Sequence, residues 1–410
     1  MRLKSSSIYY ALFMSLIISL FLGGMILFSS VNKQFSTQLE IQDRLIQNAN
    51  SGVEYGLANY QEFEGEISKT IDLFGESIDS VDISKKQWGA YVVINSEAHF
   101  KGKTYAKVAL AGQMNQLNEP NLFIVDQGRP ITISGETRLE GKIAIPKSGL
   151  KRGYIEGKNY QGDKMIYGSQ TESSKSLPKI QDGFKDDLLS FGGLITKWEN
   201  SDSIVKSFSE EGVHYISDGY ISIKNEYLAG QIVIEAKDSI FIGRNAQLSE
   251  VIVKSKVVHV QAGFIGTIQV FASEKITIEE DVTLMYPSVL GLLEETFPLK
   301  QQNRISIGEN SQVIGSVFAL TENPNFRLPV QIDIAKEAKV DGLVYCQGKT
   351  QLKGTVNGNL YTEKFYLETP SSKYENHLLD AKILNDLPED FVYISLFENQ
   401  NPLNQLKWLN

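Results

Sequence analysis

Histidine is the residue type that most often carries acid–base chemistry near neutral pH, and this 410-residue sequence has only four. His259 lies in the segment VVHVQ, where alternation with Val258 and Val260 predicts that its ring faces away from the apolar side of a strand. There it could serve as the base of an acyl transfer, although we expect a surface role. No two histidines have the i, i+4 spacing of helical metal ligands. The four are His99, His214, His259 and His377.

Paired carboxylates are the second group that could do chemistry. Glycoside cleavage needs two carboxyl groups that face each other across about 5–10 Å. The pairs in this sequence fall in or near predicted turns and loops, where solvated charge is expected: Asp186-Asp187, Glu210-Glu211, Glu279-Glu280 and Glu294-Glu295. The sequence has no glycine-rich phosphate loop, nucleophile elbow or Cys/His zinc pattern. It therefore predicts no catalytic, cofactor-binding or metal-binding residues, and we expect that the protein is not an enzyme.

A repeat of the form apolar-x-Gly-x-apolar organises most of the chain. Apolar residues at a period of two lie on one face of a strand, and the glycine permits a corner. Because so short a unit cannot bury its own apolar face, the copies must stack, which predicts a β-solenoid. The copies are centred on Gly141, Gly230, Gly266, Gly315, Gly342 and Gly358, with degenerate copies at Glu250 and Tyr286.

An apolar segment near the N-terminus predicts a single-pass membrane anchor. Residues 8–28 read IYYALFMSLIISLFLGGMILF, and no charged residue occurs between Lys4 and Lys33. A helix of that length spans roughly 30 Å, the thickness of a bilayer's hydrocarbon core. Arg2 and Lys4 precede the segment. The positive-inside rule then predicts a cytoplasmic N-terminus at the inner membrane, with the body in the periplasm or outside the cell.

The net charge of −9 limits the partners of the protein. With no basic block, the sequence argues against nucleic acid, which needs a basic face to neutralise its phosphates. The expected partners are the lipid bilayer and other envelope proteins, and self-association is a further option. The single cysteine, Cys346, excludes an internal disulfide and is predicted to fill the solenoid interior as a small apolar group.

Between the anchor and the repeats, the sequence predicts a helical stalk and a β-hairpin. Apolar residues recur at helical spacing over residues 31–60. The small residues Ala49, Gly52 and Gly56 would let this helix pack closely against a sheet or a second helix, including a helix of an assembly partner. Residues 88–113 alternate in polarity as two strands joined by a turn.

The predicted fold is mainly β and has four parts. A polar segment at about 147–212 interrupts the repeats and is predicted to be an insertion between rungs. Residues 375–387 are predicted to be helical. The parts are the cytoplasmic tail and transmembrane anchor (1–30), the stalk and hairpin (31–117), the single-chain β-solenoid (118–369) and a C-terminal cap or tail (370–410).

Two families resemble parts of this chain. The rungs, most clearly IGENSQVIGSV and IAKEAKVDGLV, look like those of bactofilins, which implies a polymer-forming β-helix of the bacterial envelope or cytoskeleton. The N-terminal third is similar to minor pilins and pseudopilins of type IV pilus and type II secretion systems. That similarity rests on the apolar run, the helical NANSGVEYGL and the hairpin WGAYVVINSEAHFKGKTYAKVAL. It implies an anchored helix that precedes strands.

The combined observations favour a non-enzymatic, membrane-anchored envelope protein, a structural or assembly component of a pilus-like, secretion or surface apparatus. Two alternatives stay open. IGRNAQL and IGENSQV also resemble the hexapeptide repeats of left-handed β-helix acyltransferases, in which His259 would be the base. A β-helix that binds or degrades glycans is the other alternative, and it requires acidic and aromatic side chains along one flank.

Overall fold

A single long helix opens the fold. The computed structural model describes residues 5–63, 68–75, 77–114, 119–199, 202–294, 302–321, 328–398 and 402–409. Helix α1 (Ser5–Ala58) runs from the apolar segment through the predicted stalk without a break. Its first half is exposed on nearly all sides. From residue 41 onward one stripe at i, i+4 spacing is buried: Ile41, Leu45, Ala49, Val53 and Leu57.

An antiparallel sheet covers that stripe. The hairpin predicted from the sequence is present, and two strands that were not predicted precede it. Successive side chains of a strand point to opposite faces. Accordingly, Val92 and Ile94 pack on α1, whereas Tyr91 and Val93 face away from it. The strands are β1 (Lys69–Ile71), β2 (Asp79–Trp88), β3 (Tyr91–Phe100) and β4 (Lys103–Met114).

The rest of the body is an array of parallel strands, which we call the parallel stack. Most of its strands form one sheet that closes on itself, and three short strands form a separate parallel sheet. The first part of the stack holds seven short strands, of which β9 and β10 form a small antiparallel pair. They are β5 (Leu122–Ile124), β6 (Ile131–Ser134), β7 (Arg138–Ile145), β8 (Leu150–Arg152), β9 (Tyr154–Ile155), β10 (Lys158–Asn159) and β11 (Tyr167–Glu172).

A short helix, α2 (Phe184–Leu189), precedes the second and larger part of the stack. Its strands are β12 (Leu194–Lys197), β13 (Ser203–Lys206), β14 (Val213–Ser217), β15 (Tyr220–Ile223), β16 (Tyr227–Gly230), β17 (Ile232–Ala236), β18 (Ser239–Ile242), β19 (Gln247–Val260), β20 (Ile265–Ile278), β21 (Thr283–Leu293), β22 (Arg304–Ile307), β23 (Gln312–Leu320), β24 (Val330–Ile334), β25 (Lys339–Leu352) and β26 (Thr355–Glu368).

The C-terminal segment contains strands where a helix was predicted. They are β27 (Lys373–Glu375), β28 (His377–Leu379), β29 (Lys382–Leu384), β30 (Val392–Tyr393) and β31 (Asn404–Leu409). The prediction of a helix over residues 375–387 is therefore wrong. β28 and β29 pair in parallel with β6 and β7, whereas β30 and β31 pair with β4 of the antiparallel sheet. Backbone hydrogen bonds to neighbouring strands outweighed the local helical pattern.

The last three glycine-centred repeats lie in register in the stack. Gly315 pairs with Gly342, and Gly342 pairs with Gly358. A Cβ on Gly342 would lie 1.9 Å from the carbonyl oxygen of Gly315, and its φ of 139° is disfavoured for other residues. The apolar positions two residues later, including Val317 and Val344, are fully buried in one continuous core, as is Cys346.

The spatial order of the strands differs from their order in the chain. β26 pairs with β5, so the first strand of the stack lies directly beside one of the last. The segment from 173 to 193, which we call the strap, then crosses the stack. Along it, the carbonyl oxygen of Pro178 accepts a 2.9 Å hydrogen bond from the hydroxyl of Tyr345 on β25. The ring centroids of Phe184 and of Phe318 on β23 are 5.7 Å apart. Those of Phe191 and of His214 on β14 are 5.8 Å apart.

The segment predicted to be an insertion, residues 147–212, contains strands of the stack as well as the strap. β11 pairs in parallel with β7 at one end of the stack, and β12 pairs in parallel with β14 at the other. The polar segment therefore contributes strands to both ends, with the strap between them. Its polarity reflects exposure, since most side chains of β11, β12 and β13 are exposed or half-buried.

Candidate functional site

The largest exposed apolar surface of the described residues is the first half of α1. We call residues 8–35 the projecting helix. Its most apolar 18-residue window has a mean hydropathy of 2.5 and no buried residue. Within the described residues it is the one helix long and apolar enough to cross a membrane. Large exposed apolar patches mark sites of contact with lipid or with another protein. This surface is compatible with the predicted membrane anchor.

Close packing joins the second half of α1 to the antiparallel sheet. A Cβ on Gly52 would lie 2.2 Å from Oγ of Ser96, and one on Gly56 would lie 2.8 Å from Cγ2 of Ile94. These glycines therefore allow α1 to approach β3 of its own chain. Of the two partners that the sequence leaves open for the small residues, sheet or second helix, the structure shows the sheet.

A buried carboxylate fixes the rotation of α1 on the sheet. Asp79, at the start of β2, accepts hydrogen bonds from Nε of Arg44 at 2.6 Å and from Nδ2 of Asn48 at 2.8 Å. The Arg44 guanidinium also lies 4.9 Å from the ring centroid of Phe100. These residues were not predicted from the sequence. The available signal was the i, i+4 spacing of Arg44 and Asn48, which places both beside the buried stripe.

The outer face of the sheet packs on the parallel stack through a second apolar cluster, and hydrogen bonds at its edge hold the two together. Nε1 of Trp88 donates to the carbonyl oxygen of Glu250 at 3.2 Å. The side chain of Gln269 makes two bonds to the β2–β3 turn: its oxygen accepts from the N–H of Ala90 at 2.8 Å, and its nitrogen donates to the Trp88 carbonyl at 3.0 Å. These contacts make the helix, sheet and stack one packed body.

His259 lies on the outside of the stack, as the alternation predicts. Its Nε2 is 2.7 Å from Oε1 of Glu279, and its ring stacks on Phe241 with centroids 5.5 Å apart. Oε2 of Glu279 accepts the N–H of Ala262 at 2.8 Å. That hydrogen bond and the one to His259 hold the pKa of Glu279 below its usual value. Both carboxylate oxygens of Glu279 therefore have partners inside the chain.

The other histidines lie apart from His259 and from one another in the fold. His99 bonds Asp82 on the antiparallel sheet at 2.9 Å, and Nδ1 of His377 lies 2.6 Å from the Glu375 carbonyl. Nε2 of His214 bonds Glu235 at 2.9 Å. Among the described residues, no group of three or more His, Cys, Asp or Glu side chains could hold a metal ion.

Glu235 is the most strongly perturbed of the accessible carboxylates in the stack. Besides His214, it pairs with Nζ of Lys254 at 2.9 Å. The hydrogen bond from His214, followed by that from Lys254, lowers the pKa of Glu235 to about 2. Two donors on neighbouring strands therefore keep this carboxylate ionised, which suits a structural role in holding β14, β17 and β19 together.

Of the acidic pairs singled out in the sequence, Asp186 and Glu294 line one open surface pocket. Glu210, Glu211 and Glu280 are exposed. Glu294 is buried and bonds Thr321 and Asn303, and burial raises its pKa. Glu295, its partner in the sequence, lies outside the described residues. Burial also raises the pKa of Cys346 to about 12, so this thiol stays protonated.

Comparisons with known proteins leave the family open. No protein family and no curated protein matches the sequence. Among solved structures, the chain is similar to the competence-associated pilin ComZ from Thermus thermophilus, at 10% sequence identity. That similarity covers 84% of this chain and 86% of that chain, with a TM-score of 0.22. A likeness at this TM-score carries no argument about fold or function.

Proposed function

We propose that this chain is a non-enzymatic, single-pass protein of the inner membrane, anchored by the projecting helix. In this proposal the N-terminus is cytoplasmic and the body lies in the periplasm or outside the cell. The observation that carries it is the unbroken α1, whose apolar first half is exposed and whose second half is built into the body. Apolar side chains on all sides of a helix require burial in lipid or among other helices.

The proposal extends to an assembly role. The body would be a bactofilin-like β-solenoid joined to a pilin-like helix and sheet, and the protein a structural or assembly component of a pilus-like, secretion or surface apparatus. The rigid connection supports this role. The antiparallel sheet is packed between α1 and the stack, so a displacement of the helix in an assembly would move the whole body with it.

A topology experiment tests the anchor. Full-length protein carries a reporter before Met1 or after Asn410. Cells are converted to spheroplasts, which exposes the periplasmic side of the inner membrane, and are then treated with protease and fractionated. We expect the protein in the membrane fraction, with the first reporter protected and the second accessible. Exchange of three exposed apolar residues of the span for glutamate should release the protein, because an ionised carboxylate is costly in the hydrocarbon core.

Two outcomes of this experiment would contradict the proposal. A mature protein that lacks residues 1–30 and is free of the membrane would show that the segment is a cleaved signal. A protected C-terminal reporter would place the body in the cytoplasm. A matched triple exchange to glutamate in the exposed strand β11 should leave the protein in the membrane.

A further inference from the structure

One face of the parallel stack carries a straight line of basic side chains, which we call the basic column. Five residues occupy the same register on five adjacent strands: Lys275 on β20, Arg304 on β22, Gln331 on β24, Lys349 on β25 and Lys364 on β26. Neighbouring strands lie about 4.8 Å apart, so the column extends over about 19 Å. Four of its five members are cations.

The side chains of the basic column point outward. The residues that follow each of them in the chain are in the interior of the stack and fully buried: Ile276, Ile305, Ile332, Thr350 and Phe365. Side chains alternate along a strand, so the column lies on the opposite, outer side, where its middle member, Gln331, is itself buried. Lys275 is exposed, while Arg304, Lys349 and Lys364 are half-buried. Their ammonium and guanidinium groups are accessible to a ligand laid across the strands.

The column places like charges directly opposite each other. Lys275 is paired with Arg304, and Lys349 with Lys364. Such cross-strand pairs are destabilising. Carboxylates offset the charge only in part: Asp333 lies 3.8 Å from Arg304, and Glu375 lies 3.5 Å from Lys364.

The two remaining cations lack such a partner. Among the described residues, neither Lys275 nor Lys349 forms an ion pair with a carboxylate. Lys349 instead lies 4.3 Å from the ring centroid of Tyr366. Burial lowers the pKa of Lys349, and the neighbouring Lys364 and Arg304 lower it further against the opposing effect of Asp333. A fold that keeps this repulsion is expected to use it, since local rules are broken mainly at functional sites.

We propose that the basic column binds an extended acidic polysaccharide that runs along the stack, across the strands. The carboxylates of such a polymer recur once per sugar unit along a nearly straight chain, and the column offers two pairs of cations at the strand spacing, one on either side of Gln331. Several weak ion pairs at fixed spacing add up through their high effective concentration. This inference goes beyond the anchor and does not depend on it.

The surroundings of the column favour this ligand over nucleic acid. Duplex phosphates follow a helical path and require a broad basic surface. Here Asp333 and Glu375 lie beside the column, and the chain as a whole has a net charge of −9. A polymer with one charge per unit fits between such flanks, whereas a duplex would bring its phosphates close to them.

Binding measurements on full-length protein in detergent test the proposal. The probes are polygalacturonate, its fully methyl-esterified and therefore neutral form, and a double-stranded oligonucleotide. The variant K275Q/K349Q removes the two cations that lack carboxylate partners. The matched control K197Q/K237Q makes the same change of charge elsewhere on the stack. We expect the first variant to bind polygalacturonate about tenfold more weakly or worse, since each lost contact is electrostatic.

The remaining outcomes separate the proposal from its rivals. The control should bind as the unaltered protein does, the esterified polymer should not bind, and added salt should weaken binding. The thermal midpoint of K275Q/K349Q should be unchanged or higher, because a repulsion is removed. Equal losses in both variants, no binding of polygalacturonate, or tighter binding of the oligonucleotide would overturn the proposal.

Discussion

The backbone N–H of Leu360 donates a 2.8 Å hydrogen bond to the carbonyl oxygen of Asn121, far away in the chain. This bond joins the last long strand of the parallel stack to its first. The side chain of Asn121 holds two further segments: its nitrogen donates to the Gly358 carbonyl at 3.0 Å and to Oδ1 of Asn385 at 2.9 Å, and its oxygen accepts from the N–H of Lys142 at 3.0 Å. Asn121 therefore links β5 to β26, the pairing that joins the beginning of the stack to its end.

Replacing Asn121 by alanine should destabilise the whole body. The exchange leaves the buried Gly358 carbonyl without its bond from Asn121 and also removes the bonds to Lys142 and Asn385, which costs about 1–3 kcal/mol. The free energy of unfolding, measured by urea denaturation, should fall by that amount. The matched exchange Asn225→Ala removes an exposed side chain whose contact with Asn245 is 3.4 Å long, and it should be near neutral. Equal effects of the two exchanges would show that the hydrogen bonds of the Asn121 side chain do not stabilise the body.

Glycines in the two halves of α1 should behave in opposite ways. Leucine at Gly52 and Gly56 collides with β3 of the sheet, and we expect a loss of stability of about 1–3 kcal/mol or more, seen as a lower thermal midpoint. A Cβ at Gly23 or Gly24 would meet nothing within 4 Å outside the helix's own backbone, so leucine at these positions should not change the midpoint.

The same Gly23 and Gly24 exchange tests assembly through the projecting helix. Small residues in a membrane span let another helix approach closely. We therefore expect co-purification with envelope partners in mild detergent to fall, although the body stays folded. Unchanged co-purification with a normal thermal midpoint would place the assembly contacts outside the span.

The Glu235 carboxylate should make the stack sensitive to acid. Its pKa is about 2 in the folded protein and about 4.3 in an unfolded chain, so it binds a proton less readily when folded. Its contribution to stability is complete above about pH 4.3 and is lost as the pH falls towards 2. Urea denaturation between pH 7 and 2 should show this loss in the unaltered protein and a smaller one in Glu235→Gln. The exposed Glu280→Gln should follow the unaltered protein.

His259 should be dispensable for stability, and the protein should have no acyltransferase activity. Its bond to Glu279 is a half-exposed pair, so His259→Ala should change the free energy of unfolding by about 1 kcal/mol or less. Purified protein incubated with acyl-coenzyme A donors and amine or hydroxyl acceptors should show no turnover. Acyl transfer that disappears in His259→Ala, but persists in the control His377→Ala, would establish the acyltransferase alternative.

The amino-acid sequence by itself determined the features that depend on residues close together in the chain. The apolar run and its continuation predicted α1, because helical periodicity is local. The repeat predicted which positions are buried, including Val317 and Val344, and the outward direction of His259, because alternation along a strand is a property of neighbouring residues.

Only the tertiary structure decided which distant segments meet. The bond between Leu360 and Asn121 and the path of the strap depend on contacts between residues far apart, and no local pattern encodes them. The basic column shows the reason most clearly. Its members, Lys275, Arg304, Gln331, Lys349 and Lys364, are 29, 27, 18 and 15 residues apart in the sequence. Loops of unequal length separate the strands, so the even spacing of the column arises only when backbone hydrogen bonds set the strands in register.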